Sequence, residues 1–337
     1  MTSIQDILKK KKINSTSGSN VPPVQFFSTG LANVDKMLNG GIPKGRIIEI
    51  FGAESGGKTT LAGSVLRTNR YKGHPIIFID LERSFDQDSI DRLGLNDLEG
   101  NESVTNLEVV LPDCGEDAFD AMYSIMENLD ECIFVVDSVS AINSRAKLEE
   151  EDLAKASVGV ISSMLTRLLP RLVFLANKSN STIIFINQVR DKIGSYTGGY
   201  STPGGHALKH ACSQRIMVSR KTKLPDGSGQ TAVFRVDKNK VGAPNTTAEA
   251  TLFYYETEDH VGGFDPVIAL FDFAVSTGIV EKAGAWCYFS ATYVPALGLE
   301  PNTDDGRVRG RAAELIQMMR DDNELYEKIY ELSKSVS

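Results

Sequence analysis

The chain is short of cysteine, positive charge and long apolar runs, and each shortage closes off a class of function. Its four cysteines, Cys114, Cys132, Cys212 and Cys287, are scattered through 337 residues with no C-x-x-C pair. Neither a zinc site nor a disulfide framework is expected, which fits a reducing compartment. The longest apolar runs, such as 132–136 and 183–186, fall far below the ~20 residues a membrane-crossing helix needs. Lysines occupy 9–12 but no apolar stretch follows them, so no signal peptide is read and a cytoplasmic location is expected. Lys and Arg number 36 against 44 Asp and Glu, a net charge of −8. The chain as a whole has no electrostatic case for nucleic acid, so any such site must be a local basic patch. The rest is ordinary globular composition, 41% hydrophobic and 24% charged, long enough for one large core or two domains.

Against that background one stretch stands out. The run Ile47-Ile48-Glu49-Ile50-Phe51 leads into Gly52-Ala53-Glu54-Ser55-Gly56-Gly57-Lys58-Thr59-Thr60, a G-x-x-x-x-G-K-T pattern. It lies between a predicted strand and a predicted helix, the context a phosphate-binding loop requires. Gly52, Gly56 and Gly57 let the backbone turn its N–H groups inward around a polyphosphate. The helix starting near Lys58 directs its positive dipole end at the same anion. Lys58 is expected to reach the β- and γ-phosphates and the Thr59 hydroxyl to ligate Mg²⁺, with Glu54, Ser55 and Thr60 completing the nucleotide-binding stretch.

The rest of the chain arranges itself around this loop. Residues 1–12 read as a short amphipathic helix with Ile4, Ile7 and Leu8 on one face, and 14–20 as a flexible linker. A helix this short is marginal alone, so a frayed basic tail and a docking arm are both open. Buried strands are predicted at 46–51, 74–80, 132–138 and 182–186, alternating with helical patterns. The longest pattern carries Val158, Ile161, Leu165, Leu168, Leu172 and Leu175, and Pro170 is expected to kink or break it. Residues 215–255 are β-rich, with Asp226-Gly227 as a hairpin turn. The alternation argues for an α/β fold with a mostly parallel central sheet and antiparallel additions. Beyond about 264 a helix, a short strand at 286–289 and two further helical patterns suggest a small α/β appendage. The division read is an arm at 1–27, a core at 28–263 and a C-terminal domain at 264–337.

Strand ends carry the remaining chemistry. Asp137 ends the third apolar strand in the Walker B arrangement and is expected to hold Mg²⁺ through water, with a plain helix cap as the alternative. Glu82 follows the second strand, where a carboxylate can polarise an attacking water; an ordinary surface glutamate looks the same. Gln188, just after 182–186, is a candidate γ-phosphate contact. The stretch 189–205 combines Arg190, Lys192, Tyr196 and Tyr200 with Gly194, Gly198, Gly199, Gly204 and Gly205. Basic side chains neutralise phosphates and aromatics stack on bases, although a mobile surface loop has the same composition. Lys209, Arg215, Arg220 and Lys221 follow closely, and Lys238-Asn239-Lys240 ends another predicted strand as a charge run.

Taken in order, these motifs resemble bacterial-type RecA recombinases, including phage-encoded forms, over roughly 25–333. The matching runs include Ser28-Thr29-Gly30, the whole 45–60 stretch, Phe78-Ile79-Asp80, Val135-Val136-Asp137-Ser138, Ile186-Asn187-Gln188-Val189-Arg190, Lys238-Asn239-Lys240 and Glu281-Lys282-Ala283-Gly284-Ala285-Trp286. The last lies beyond the part that generic P-loop proteins share. The resemblance implies a RecA-type P-loop ATPase core with a short N-terminal arm and a small α/β C-terminal domain. It implies an ATP-dependent DNA recombinase that forms helical filaments on single-stranded DNA and exchanges strands with homologous double-stranded DNA, with DNA-stimulated ATP hydrolysis. ATP and Mg²⁺ would sit between protomers, and no membrane partner is expected. By the same resemblance Glu82 is the catalytic glutamate, Gln188 the γ-phosphate sensor, and 149–159 and 189–205 the DNA loops, with Val158 and Gly159 in the first. Lys238 and Lys240 would reach the neighbour's ATP; Lys209, His210 and Arg215 match interface positions; Asp86 and Tyr254 match adenine contacts. The chain departs from the family pattern at Gly56, Ser89, Val158 and His210, which commonly read serine, tyrosine, methionine and phenylalanine. Two alternatives are a hexameric helicase motor and a non-hydrolysing scaffold. The 281–286 run speaks against the first, and the presence of Lys58, Glu82, Asp137 and Gln188 against the second.

Overall fold

The computed structural model describes residues 4–13, 15, 18–96, 107–145, 159–191, 200–258 and 260–336. Its centre is a nine-stranded sheet in which the strand Ile47–Gly52 lies between Gln214–Lys223 and Thr182–Gln188. Beyond Thr182–Gln188 come Ile133–Asp137, Ile76–Asp80 and Leu107–Val110, every pairing parallel. On the other side Gln214–Lys223 pairs parallel to the P-loop strand, and Gly229–Asn239, Thr247–Phe253 and Gly263–Phe264 add on antiparallel. This is the mostly parallel α/β sheet with antiparallel additions that the alternating pattern predicts. Register brings Gly52 opposite Gln188 and Asp80 opposite Asp137, so the chemistry-bearing ends share one edge of the sheet.

Alternate residues of these apolar strands face opposite cores. Ile48, Ile50, Phe78, Val135 and Ile184 pack with Leu61, Val65 and Leu66 of the helix Lys58–Arg70. Ile47, Ile79, Phe134 and Phe185 pack with Phe119 and Met122 of Gly115–Asn128 and with the leucine stripe of Val160–Lys178. That last helix runs through Pro170 as one element, so of the kink or break expected from sequence the break does not occur. A proline in a helix interior costs about 3 kcal/mol. Leu165 and Leu169 before it and Leu172 and Leu175 after it are all buried in the same core, each contributing about 1.5–3 kcal/mol. Packing on both sides of the proline therefore outweighs the lost hydrogen bond. At 19 residues this helix is also long and apolar enough to cross a bilayer by composition, but that stripe is spent on the sheet.

The hairpin turn falls where Asp226-Gly227 predicts it: Asp226 caps Ser228, and Gly227 takes a φ of +77°. After the edge strand Gly263–Phe264, Asp265 caps the helix Pro266–Ser276, which opens the C-terminal part. A three-stranded antiparallel sheet, Val280–Ala283, Trp286–Phe289 and Val308–Gly310, packs with helices Ala312–Asp321 and Asn323–Ser335 around Leu270, Phe271, Phe289, Leu315 and Ile329. A buried carboxylate joins this part to the rest. Asp35 accepts hydrogen bonds from Ser28 Oγ (2.6 Å), Thr29 N–H (2.8 Å), Thr29 Oγ1 (2.7 Å) and Tyr330 Oη (2.8 Å). At the other end, the helix Ile4–Lys10 leaves Ile4 and Ile7 exposed.

Candidate nucleotide site

Gly52 ends its strand where a Cβ would stand 2.0 Å from the Val218 carbonyl oxygen, so the neighbouring strand closes on the loop only because glycine is there. Gly57, at φ +97°, caps the 13-residue helix that begins with Lys58. The first-turn N–H groups of such a helix have no intrahelical acceptor and point at the loop. Lys58 is buried, and its Nζ donates to the Ala53 carbonyl at 2.7 Å. Burial lowers its affinity for a proton, while the charges of Asp137, Glu54 and Glu82 push the other way. An ammonium, unpaired helix N–H groups and two threonine hydroxyls form a donor set suited to a polyphosphate.

The acids gather beside it. Thr59 Oγ1 donates to Asp137 Oδ2 at 2.8 Å, across 78 positions of sequence. Burial pushes the Asp137 carboxyl up to about 6; the Thr59 hydrogen bond opposes this, nearby Glu82 adds to it, Lys58 opposes it and Asp80 adds. A hydroxyl and a carboxylate side by side next to the phosphate loop are the hard oxygen ligands that Mg²⁺ takes, so the residues present fit that ion. Glu82 is exposed at the sheet edge and accepts a hydrogen bond from Ser138 Oγ, the residue after Asp137. Gln188 sits opposite Gly52 at the end of its strand.

Sequence reasoning missed what holds Gln188 in place. The preceding Asn187 is fully buried and donates through Nδ2 to Glu49 Oε1 (2.8 Å) and to the Pro203 carbonyl (2.9 Å). Glu49 is itself fully buried and ion-paired to Arg215. Arg215, which matches an interface position, is largely buried within the protomer: its side chain is 12% exposed and its guanidinium lies 4.5 Å from the Phe51 ring centroid. A charged residue inside an apolar strand was the available signal for this pair.

A cleft of about 280 Å³ continues from the loop, lined among others by Thr59, Thr60, Ser89, Arg92, Leu252 and Tyr254. Tyr254 forms part of this wall, with its Oη donating to Gln230 Oε1 at 3.2 Å. Asp86 does not line the cleft; its carboxylate caps the helix Gln87–Leu93, accepting the Ser89 N–H at 2.9 Å and its hydroxyl at 2.7 Å.

The remaining candidates lie outside this cleft. Lys238 Nζ donates to the Lys209 carbonyl at 2.6 Å and Lys240 Nζ to that of His210 at 3.4 Å, so both ammonium groups sit on the C-terminal end of the helix Gly205–Ala211. Gly204, at φ +90°, caps the other end, and Gly205 is followed by the rest of that helix. Tyr200, expected to stack on bases, donates to Asp237 and packs 5.5 Å from the Phe51 ring. The pairing of Arg190–Asp191 with Tyr200–Ser201 brings the two ends of the 189–205 stretch together. Gly159 caps the helix Val160–Lys178. Val158, Lys192 and Tyr196, with most of the two expected DNA loops, lie outside the described residues.

Comparison with known proteins agrees with this geometry. The RecA N-terminal domain family matches residues 1–258. Protein RecA of Sulfurovum sp. (strain NBC37-1) is 36% identical over 277 residues, covering 80% of this chain and 75% of that protein. Protein RecA of Thermus thermophilus is 38% identical over 270 residues, with 78% and 75% covered. Protein RecA of Sulfurimonas denitrificans is 35% identical over 298 residues, with 87% and 82% covered. Among solved structures, the RadB recombinase superposes with a TM-score of 0.51 at 23% identity, covering 67% of this chain and 96% of that one, a likeness of fold. On that family match and these identities, the chain belongs to the RecA family.

Proposed function

We infer that this protein is an ATP-dependent DNA recombinase that hydrolyses ATP in a DNA-dependent manner. The observation that carries the reading is the convergence of Lys58, Thr59, Asp137, Glu82 and Gln188 at one end of the parallel sheet, within a chain of the RecA family. Lys58 and the helix N–H groups would bind the β- and γ-phosphates, and Tyr254 would border the nucleoside. Mg²⁺, held by Thr59 and by Asp137 through water, would neutralise phosphate charge. Glu82, exposed at the sheet edge and fixed by Ser138, would orient a water and take its proton at a carboxylate oxygen. Gln188 would sense the γ-phosphate and pass its presence to the 189–205 loop through the backbone that Asn187 holds.

The finer reading is a helical filament on single-stranded DNA that pairs with double-stranded DNA in the cytoplasm. Lys238 and Lys240 would leave their helix-end carbonyls to reach the phosphates of a neighbouring protomer, with Lys209 and His210 beside them. The three-part division at 27/28 and 263/264 belongs to the same proposal. Its test is the pair Glu82→Gln and Lys58→Ala, assayed for ATP turnover with and without single-stranded DNA. Glu82→Gln keeps ATP and DNA binding and loses turnover by roughly 10²–10⁴. Lys58→Ala loses nucleotide-dependent assembly. Normal turnover in Glu82→Gln would remove Glu82 as the catalytic carboxylate.

A further inference from the structure

The chain has 4 histidines, and two of them form a pair on one helix. His206 and His210 lie four positions apart on Gly205–Ala211, and both are exposed. On an α-helix that spacing sets them one above the other on a single face. Leu208 points the other way and is fully buried in the core it shares with Val160–Lys178. Gly205 packs so closely on that longer helix that a Cβ there would stand 2.8 Å from Ser162 Oγ. The backbone beneath the two rings is therefore held in place. The rings lie 6.1 Å apart between centroids, with 27° between their planes. Among the described residues neither imidazole makes a hydrogen bond or an ion pair.

A neutral imidazole offers one nitrogen lone pair and suits Zn²⁺, Ni²⁺ and Cu²⁺. Two imidazoles one helical turn apart can hold the same ion, the arrangement that helical zinc sites use. Once one nitrogen is bound the second binds intramolecularly, which tightens the complex by about 10²-fold. The other soft ligands of the chain are engaged or buried. His74 lies 3.3 Å from Glu131, His260 stacks on Phe253 with ring centroids 3.7 Å apart, and Cys114, Cys132, Cys212 and Cys287 are all buried. Thr59 and Asp137 offer only hard oxygen, which suits Mg²⁺ instead. Charge opposes the ion, because Lys238 and Lys240 rest on the carbonyls at the C-terminal end of the same helix. The rings stand in water, where that repulsion lowers affinity by several-fold, less than the chelate gains.

We propose that His206 and His210 form a two-histidine site for a divalent transition metal of the zinc class, separate from the Mg²⁺ expected at Thr59 and Asp137. Each imidazole binds in its neutral form through one ring nitrogen, and water fills the remaining positions. The ion clamps one turn of the helix that follows the 189–205 stretch and whose last carbonyls hold Lys238 and Lys240. Its binding requires neither nucleotide nor DNA.

The experiment is isothermal titration calorimetry of the untagged full-length protein with Zn²⁺, in excess Mg²⁺ and without nucleotide or DNA, at about pH 7.5, where free imidazole is neutral. One Zn²⁺ should bind per chain with a micromolar Kd. His206→Asn and His210→Asn should each weaken it by about 10²-fold. The double variant should be little worse than either single one, because the chelate is already lost at the first substitution. His260→Gln should leave binding unchanged. Both paired histidines are exposed, so the variants should fold, and far-UV circular dichroism checks that they do. Two equivalents of Zn²⁺ that fall to one in each single variant would mean independent histidines and would overturn the proposal. Zn²⁺ binding that survives the double variant, or no binding by the unsubstituted protein, would overturn it too.

Discussion

Replacing Arg215 by methionine tests whether the residue works inside the protomer or on its surface. The Glu49 carboxylate is fully buried and depends on Arg215 Nε and Asn187 Nδ2. Methionine preserves much of the volume over the Phe51 ring but leaves Glu49 as a buried charge with a single amide partner. Breaking a buried pair from one side costs about 3–5 kcal/mol, because the other charge stays desolvated. An exposed interface arginine, by contrast, changes protomer stability by less than about 0.5 kcal/mol. Urea unfolding followed by far-UV circular dichroism, without nucleotide or DNA, separates the two. Arg215→Met should shift the midpoint far down, and Glu49→Gln combined with Arg215→Met should recover most of the loss, since no unpaired charge remains. An unchanged midpoint in Arg215→Met, or a double variant as unstable as the sum of both single ones, would refute the buried-pair account.

Other consequences follow from the same geometry. Tyr330→Phe removes one of the four hydrogen bonds to buried Asp35 and should cost about 1.5–3 kcal/mol in urea unfolding, with the ring packing intact. Burial raises the Asp137 pKa from 3.8 in the unfolded chain to about 6. A raised carboxyl pKa contributes stability below the unfolded value and loses it as pH rises through the folded one. Nucleotide-free protein should therefore lose melting temperature relative to Asp137→Asn as pH goes from 3.8 to about 6, and a parallel pair of curves would contradict the assignment. If the loops form a basic groove despite the net charge of −8, affinity for single-stranded DNA should fall steeply with added salt in a fluorescence-anisotropy titration.

Local signals in the sequence went far for the fold. Continuous apolar strands, the Gly-rich loop and the 3.6-period helices are each determined by neighbours in sequence, and they landed close to where they were expected. Pro170 shows the limit: its local cost was legible, but the core contacts of Leu165, Leu169, Leu172 and Leu175 that outweigh it are tertiary. The site divides the same way. Thr59 and Asp137 could be named from motifs, and their 2.8 Å contact follows once strand order is fixed. The contacts that Arg215, Tyr200 and Asp86 make within the protomer were not legible, because their partners Glu49, Asp237 and Ser89 are chosen by sheet register and helix capping.

In the proposed function, ATP binding at the Gly52–Lys58 loop organises this protein on DNA. Electron microscopy of the protein on single-stranded DNA with a slowly hydrolysed ATP analogue tests it most directly. Extended helical filaments should form, require the analogue and disappear in Lys58→Ala. Closed rings, or filaments indifferent to nucleotide and to that substitution, would contradict it.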